Sequence, residues 1–187
     1  MLDKVTELLL HGQLKFNQGE IQLLGQSVGM VPIDYLVTVQ KNLEKNNVEN
    51  VLYSNSKEMG IRWFKNMYDH FKIKPQDVTR WGVNILSVAG WGETLVVDFD
   101  MQKEMMKVNI RNSAQAKAYG KSDHPVDSFV RGCYASGAQV LFGKECDAVE
   151  IRCMSQGFDF CEFVAQPTEK FDLNNPVVKK QLVFPQH

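Results

Sequence analysis

An α+β fold, an antiparallel sheet with helices packed on one face, is the class this sequence predicts. Three observations predict it. Some segments place apolar residues three to four positions apart, as a half-buried helix requires. Others alternate apolar and polar residues, as a half-buried strand requires. The two kinds come in blocks, helix after helix and hairpin after hairpin, and not as βαβ units.

Residues 1–11 read as a short helix ending at Gly12. A hairpin follows: Leu14 and Phe16 flank Lys15, Asn17-Gln18-Gly19 turns, and Ile21 and Leu23 flank Gln22. Gly25 to Gly29 reads as a loop. Pro32 then opens a helix through Ile33, Leu36, Val37 and Leu43. The next helix, Val51–Phe71, carries Met59, Trp63, Met67 and Phe71 four apart. Gly60 inside it costs about 1 kcal/mol relative to Ala, so close packing is expected there. Pro75 starts a third helix that runs to about Ala89 and breaks at Gly90-Trp91-Gly92.

Two strands come next, one on Leu95, Val97 and Phe99, the other on Met106, Val108 and Ile110, with Gln102-Lys103-Glu104 as the turn. Residues 112–125 are polar and read as irregular. Pro125 opens a helix through Val126, Val130, Cys133, Tyr134, Gly137 and Leu141, stopped by Gly143. Two final strands lie around 145–153 and 159–165. From Pro167 the chain is polar, with Pro176 and Pro185, and reads as a wrapping or unstructured extension. The expected organisation is an accessory, dimerising segment over 1–50, a ligand-binding domain over 51–166 and a tail over 167–187.

Composition narrows the function. The 187 residues carry 21 Lys+Arg against 22 Asp+Glu, a net charge of −1. A broad electrostatic hold on nucleic acid or anionic lipid needs an excess of basic residues, so neither partner is expected. No run of about 18 apolar residues exists to span a membrane. Met1-Leu2-Asp3-Lys4-Val5 does not read as a signal peptide, and a reducing cytoplasm is the expected compartment. No dinucleotide, P-loop, nucleophile-elbow or zincin motif occurs, so no catalytic residue is singled out.

Cys133, Cys146, Cys153 and Cys161 cluster near the C-terminus. Glu150, Cys153 and Cys161, with a turn at Gly157, suit a tetrahedral zinc site, because Zn²⁺ accepts both sulfur and oxygen. Glu150 and Cys153 have opposite strand parity, so the strand must bulge or end between them. The same residues also fit two buried strand cysteines beside a surface glutamate. A Cys133–His124 nucleophile pair is conceivable, but His124 before Pro125 reads better as a loop or cap residue. Trp63, Trp81, Trp91, Tyr134 and Phe142, with eight Met, suit a pocket for an apolar or aromatic ligand between helices and sheet, or an ordinary core.

Three stretches together resemble the 4-vinyl-reductase (4VR) domain family. They are Val51-Leu52-Tyr53 to Met59-Gly60, then Gly90-Trp91-Gly92-Glu93, then a longer series. That series runs Asn112-Ser113, Pro125-Val126-Asp127, Arg131-Gly132, Ala135-Ser136-Gly137, Phe142-Gly143-Lys144, Glu150-x-x-Cys153 and Gly157-x-Asp159-x-Cys161-Glu162-Phe163. The Gly12–Pro32 hairpin resembles a segment often found before the domain.

The resemblance implies α+β domains, similar to phenol-sensing domains and to small TRAPP-complex subunits, that pair as dimers around an apolar cavity. In zinc-bearing members the ligands are a Cys at the start of the last helix, a Glu and two Cys. Glu150, Cys153 and Cys161 match the last three, and Asp127 fills the first slot. Asp can ligate zinc, but one thiolate fewer weakens the site. Cys133 lies almost two turns further along the helix, and Cys146 lies about 13 Å from Glu150 on an extended strand. The expected metal is therefore a structural zinc held by Asp127, Glu150, Cys153 and Cys161. The expected function is a small-molecule sensor or regulatory module that acts as a homodimer through a protein partner. The alternatives are an accessory protein of tetrapyrrole vinyl reduction and a TRAPP-like trafficking adaptor, acylated at Cys133.

Overall fold

The computed structural model describes residues 6, 8–71 and 75–183. The expected N-terminal helix lies mostly outside the described residues, although 8–10 are helical, and Pro185 lies outside them too. Three short strands come first: β1 (Leu14–Asn17), β2 (Glu20–Leu23) and β3 (Gln26–Val28) form one antiparallel sheet. Three helices follow, α1 (Ile33–Lys45), α2 (Asn50–Phe71) and α3 (Pro75–Val88). Then come β4 (Glu93–Asp100), β5 (Met105–Arg111), α4 (Ala114–Tyr119), α5 (Ser128–Phe142), β6 (Cys146–Arg152), β7 (Cys161–Pro167) and α6 (Pro176–Leu182).

The main sheet has the order β4-β5-β7-β6, antiparallel throughout. Period-two alternation decides which side chains point inward. Met106, Val108 and Ile110 of β5 and Cys161, Phe163 and Ala165 of β7 are buried in the core that α5 covers. The α+β class read from the sequence is therefore the one observed.

The tightest helix contact joins α2 to α5. A side chain on Gly60 would run into that of Ser136, which is the close packing its position in a helix interior anticipates. On the partner helix, a Cβ at Gly132 would sit 2.5 Å from the Tyr53 carbonyl oxygen and 2.8 Å from the Lys57 amide nitrogen. Asp147 on β6 ties the same helix to the sheet edge, accepting from the Tyr53 hydroxyl at 2.6 Å and from Lys57 Nζ at 2.8 Å.

Three expectations need correction. The loop expected at Gly25–Gly29 contains β3, whose Ser27 hydroxyl bonds Glu20 at 2.5 Å across the sheet. The stretch expected to be irregular over 112–125 contains α4, which Ser113 caps by accepting from the Ala116 amide. The polar tail forms α6, with Pro176 in its first turn and Asn175 as its side-chain cap. That helix packs on β6 through Val178 and Gln181. Its apolar content is too low for periodicity to reveal it.

Candidate metal centre

Four segments converge at the first turn of α5. Asp127 is the residue before that helix, yet its side chain does not cap it. Glu150 lies near the end of β6, Cys153 just beyond it, and Cys161 opens β7. The register of β6 against β7 slips between Glu150 and Arg152, which is the irregularity their parity demands. A single 3₁₀ turn over Met154–Gln156 then reverses the chain at Gly157, in the left-handed region at φ 95°.

The result is one compact cluster. A carboxylate oxygen from each of Asp127 and Glu150 and the sulfurs of Cys153 and Cys161 all lie within 4.8 Å of one another, and all four residues are buried. The surroundings aim these groups inward. Ser113 Oγ donates to Asp127 Oδ1 at 2.8 Å, and the Asp127 amide donates to Glu150 Oε2 at 3.0 Å. The Met154 amide donates to Cys161 Sγ at 3.3 Å. The Gln181 side-chain amide brackets Glu150, accepting from its amide at 2.9 Å and donating to its carbonyl at 2.8 Å.

What remains unsatisfied is informative. Asp127 Oδ2 and Glu150 Oε1 are buried and meet no hydrogen-bond partner. Burial of such oxygens without compensation is unfavourable by several kcal/mol. Electrostatics agree. Burial, with the Cys153 charge adding to it, pushes the Asp127 carboxyl up to about 7. Burial, followed by Asp127, pushes Glu150 well above the usual carboxylate range. The hydrogen bond from Cys161 holds the Cys153 thiol down at about 5, while that shared proton drives Cys161 upward. Four acidic groups this close cannot all ionise unless a cation joins them. Two unpaired carboxylate oxygens and two thiols facing one point are a donor set that could hold a metal ion.

The other candidates fall elsewhere. Cys146 pairs with Pro167 at the far end of β6. Cys133 is buried, with its thiol pushed up to about 12 by desolvation. It lines a small apolar cavity of about 20 Å³ with Tyr134, Phe64, Leu86, Met106 and other residues of α2, α3, β5 and α5. His124 is not paired with Cys133; its Nδ1 lies 2.7 Å from Asp123 and its Nε2 3.8 Å from Glu44. Of the five aromatic candidates, Tyr134 lines that cavity. Trp63 and Trp81 pack beside Phe64 and Ile85 in a second core, near Leu23. Trp91 stacks on Phe129 with ring centroids 4.4 Å apart, and Phe142 on Phe99 at 6.4 Å.

Sequence reasoning missed Ser113 as a partner of Asp127, and it missed Gln181. A Ser just before Ala114-Gln115-Ala116 is a helix-cap signal. Gln181 leaves no local signal, because it reaches Glu150 from 31 residues away.

Fold and site together define a class: an α+β domain with a four-stranded antiparallel sheet, an apolar cavity beneath its helices and a buried cluster of two carboxylates and two thiols at one end. Residues 106–167, which include all four cluster residues, match the model of the 4-vinyl-reductase (4VR) domain, as the sequence resemblance anticipates. Among solved structures, the chain is similar to the phenol-responsive sensory domain of the transcription activator PoxR, solved with phenol. The TM-score is 0.77 at 17% identity, covering 100% of this chain and 98% of that one. It is also similar to a vinyl-4-reductase family protein from Methanocaldococcus jannaschii, at TM-score 0.51 and 18% identity, over 74% of this chain and 83% of that one. A trafficking protein particle complex subunit 3 from Naegleria fowleri, covalently bound to palmitic acid, aligns at TM-score 0.47 and 9% identity over 72% and 93%. At these identities the likeness is one of fold. No curated protein matches the chain. Among the described residues, no helix is long and apolar enough to cross a membrane.

Proposed function

We propose that this protein is a sensor or regulatory module that binds a small apolar or aromatic molecule between α2, α3, α5 and β5. A structural zinc braces the sheet end of the same core. The observation that carries the ligand reading is the cavity bordered by Phe64, Val83, Leu86, Met106, Cys133 and Tyr134. Its wall is apolar apart from the hydroxyls of Thr79 and Tyr134, and the buried Tyr134 hydroxyl meets no hydrogen-bond partner. That combination suits a ligand with an apolar body and one polar group. The whole-length likeness to a phenol-responsive domain supports the same class of ligand.

At about 20 Å³ the cavity holds roughly one water, so a ligand must open it. Phe64 is the side chain placed to yield. Its ring rests against Gly82 and Gly137, where a Cβ would sit only 3.3–3.4 Å away. Turning this ring enlarges the cavity without moving backbone.

Asp127, Glu150, Cys153 and Cys161 would hold the zinc as four protein ligands with no open position, which suits a structural site and not a catalytic one. When bound, the ion supplies charge neutralisation and ties α5 to the β6–β7 turn. A second copy of the chain is the expected partner. On the N-terminal sheet, Phe16, Ile21 and Val28 form one cross-strand row. Phe16 is 60% exposed, and the following Met30 and Val31 are 81% and 60% exposed. Such an apolar surface suits self-association.

Titration calorimetry against phenol, toluene and cyclohexanol tests the ligand reading. Micromolar to low-millimolar binding of at least one, weakened at least tenfold by Met106→Glu, supports it. No heat from any of the three, or equal affinity in that variant, would overturn it. Sedimentation of the wild type and of Phe16→Glu tests the dimer, which should dissociate in the variant.

A further inference from the structure

A second cavity, of about 180 Å³, opens beside the first turn of α5 and shares no lining residue with the apolar one. A cavity of about 150 Å³ takes up a benzene, so this one admits a molecule of amino-acid size. Its walls come from the end of α1, the start of α2, the His124-Pro125 loop, α5, β6 and α6.

Internal pairing accounts for part of that wall. Glu44 accepts from Gln40 at 2.8 Å and from Tyr119 at 2.6 Å, with His124 beside it at 3.8 Å. Glu150 belongs to the cluster described above. Arg131 is buried, with its guanidinium 3.8 Å over the Tyr53 ring and one nitrogen donating to the Ala148 and Gln181 carbonyls.

Pairing leaves a remainder of both signs. Glu49, Asn50, Ser128 and Lys180 line the cavity, and among the described residues their side chains make no hydrogen bond or ion pair. An acid and an ammonium group thus face one cavity without meeting. The two helix ends there are polarised the same way. The positive N-terminal end of the 15-residue α5 lies at Ser128 and Arg131, and the negative C-terminal end of α1 lies near Glu44. An anionic group is therefore favoured between Lys180, Arg131 and Ser128, and a cationic group beside Glu49 and Asn50.

We propose that this cavity is a second ligand site, for a small zwitterion with a carboxylate at one end and an ammonium group at the other. The carboxylate would lie against Lys180, Ser128 and Arg131, and the ammonium group against Glu49. An occupant would bridge α2 to α6, the helix whose Gln181 brackets Glu150. The proposal is independent of what fills the apolar cavity.

The test is calorimetry and thermal shift of the full-length chain, zinc-loaded, with glycine, serine, glutamate and lysine as free amino acids. Acetate and ethylammonium serve as half-molecule controls. The expected result is binding of at least one amino acid at millimolar or lower concentration, weakened tenfold or more in both Lys180→Ala and Glu49→Gln. Those variants should keep the wild-type zinc content and the wild-type affinity for apolar ligands. The proposal is overturned if none of the four binds, if both variants bind as wild type does, or if acetate alone binds as well as the amino acids.

Discussion

Helix α5 serves two unlike neighbourhoods. Its first turn abuts four acidic side chains whose ligand atoms crowd within 4.8 Å. Its middle borders a cavity of about 20 Å³ walled mostly by apolar groups. In the first region every group is fixed by hydrogen bonds from Ser113, Met154 and Gln181, yet two carboxylate oxygens stay unpaired. In the second, one phenolic hydroxyl is unpaired, and the principal wall is a ring that can turn. The difference teaches that an orphaned polar atom means different things in different surroundings. Several orphans held rigidly around one point call for an ion. One orphan beside a movable apolar wall calls for a small molecule.

Removing a thiol should break the first region. Cys161→Ala should abolish stoichiometric metal binding and lower stability by roughly 3–5 kcal/mol, because the remaining buried acids lose their counter-charge. Metal analysis and urea denaturation read this out. In the second region, Phe64→Ala should lower stability by about 3–4 kcal/mol while strengthening binding of benzene-sized ligands, because the cavity is then open beforehand. Calorimetry checks the affinity. A weaker binder would show that the ring is a contact and not an obstruction.

Smaller changes separate the regions further. Ser113→Ala removes a donor to Asp127 and the cap of α4 together. It should lower stability by about 1–2 kcal/mol and metal affinity about 10- to 100-fold, measured by competition with a chelator. Tyr134→Phe removes a buried hydroxyl that bonds nothing. Stability should stay level or rise by about 1 kcal/mol, while a ligand bearing a hydroxyl binds less well than its hydrocarbon counterpart. The smallest effect is a slope. In the metal-free protein, burial lifts Asp127 from 3.8 to about 7, so between those values the folded chain holds the extra proton. Stability should then fall as pH rises through that window. With metal the slope should reverse, because ligation needs the deprotonated groups. Urea titrations at pH 5 and 8, with and without chelator, compare the two.

Much of this was legible in the residues. Regular period-four and period-two patterns located α2, α5, β5 and β7, and Gly60 marked a close helix contact that Ser136 fulfils. The opposite parity of Glu150 and Cys153 anticipated the slip in β6. Asp127 entered the cluster through resemblance alone, since nothing in its own neighbourhood distinguishes a ligand from a helix cap. The aromatic residues misled for a related reason. Trp63, Trp81 and Tyr134 all lie on apolar faces, but which face meets a cavity depends on how α2, α3 and α5 cross, and spacing along the chain does not encode that. The polar cavity was illegible for the same reason. Glu49, Ser128 and Lys180 are ordinary surface residues until the fold brings them together.

X-ray absorption spectroscopy at the zinc edge, on protein expressed in zinc-supplemented medium, tests the metal centre most directly. One zinc per chain with two sulfurs at about 2.3 Å and two oxygens at about 2.0–2.2 Å is the expected shell. Protein that leaves purification without metal, or a shell containing only oxygen and nitrogen, would contradict the assignment of Asp127, Glu150, Cys153 and Cys161 as its ligands.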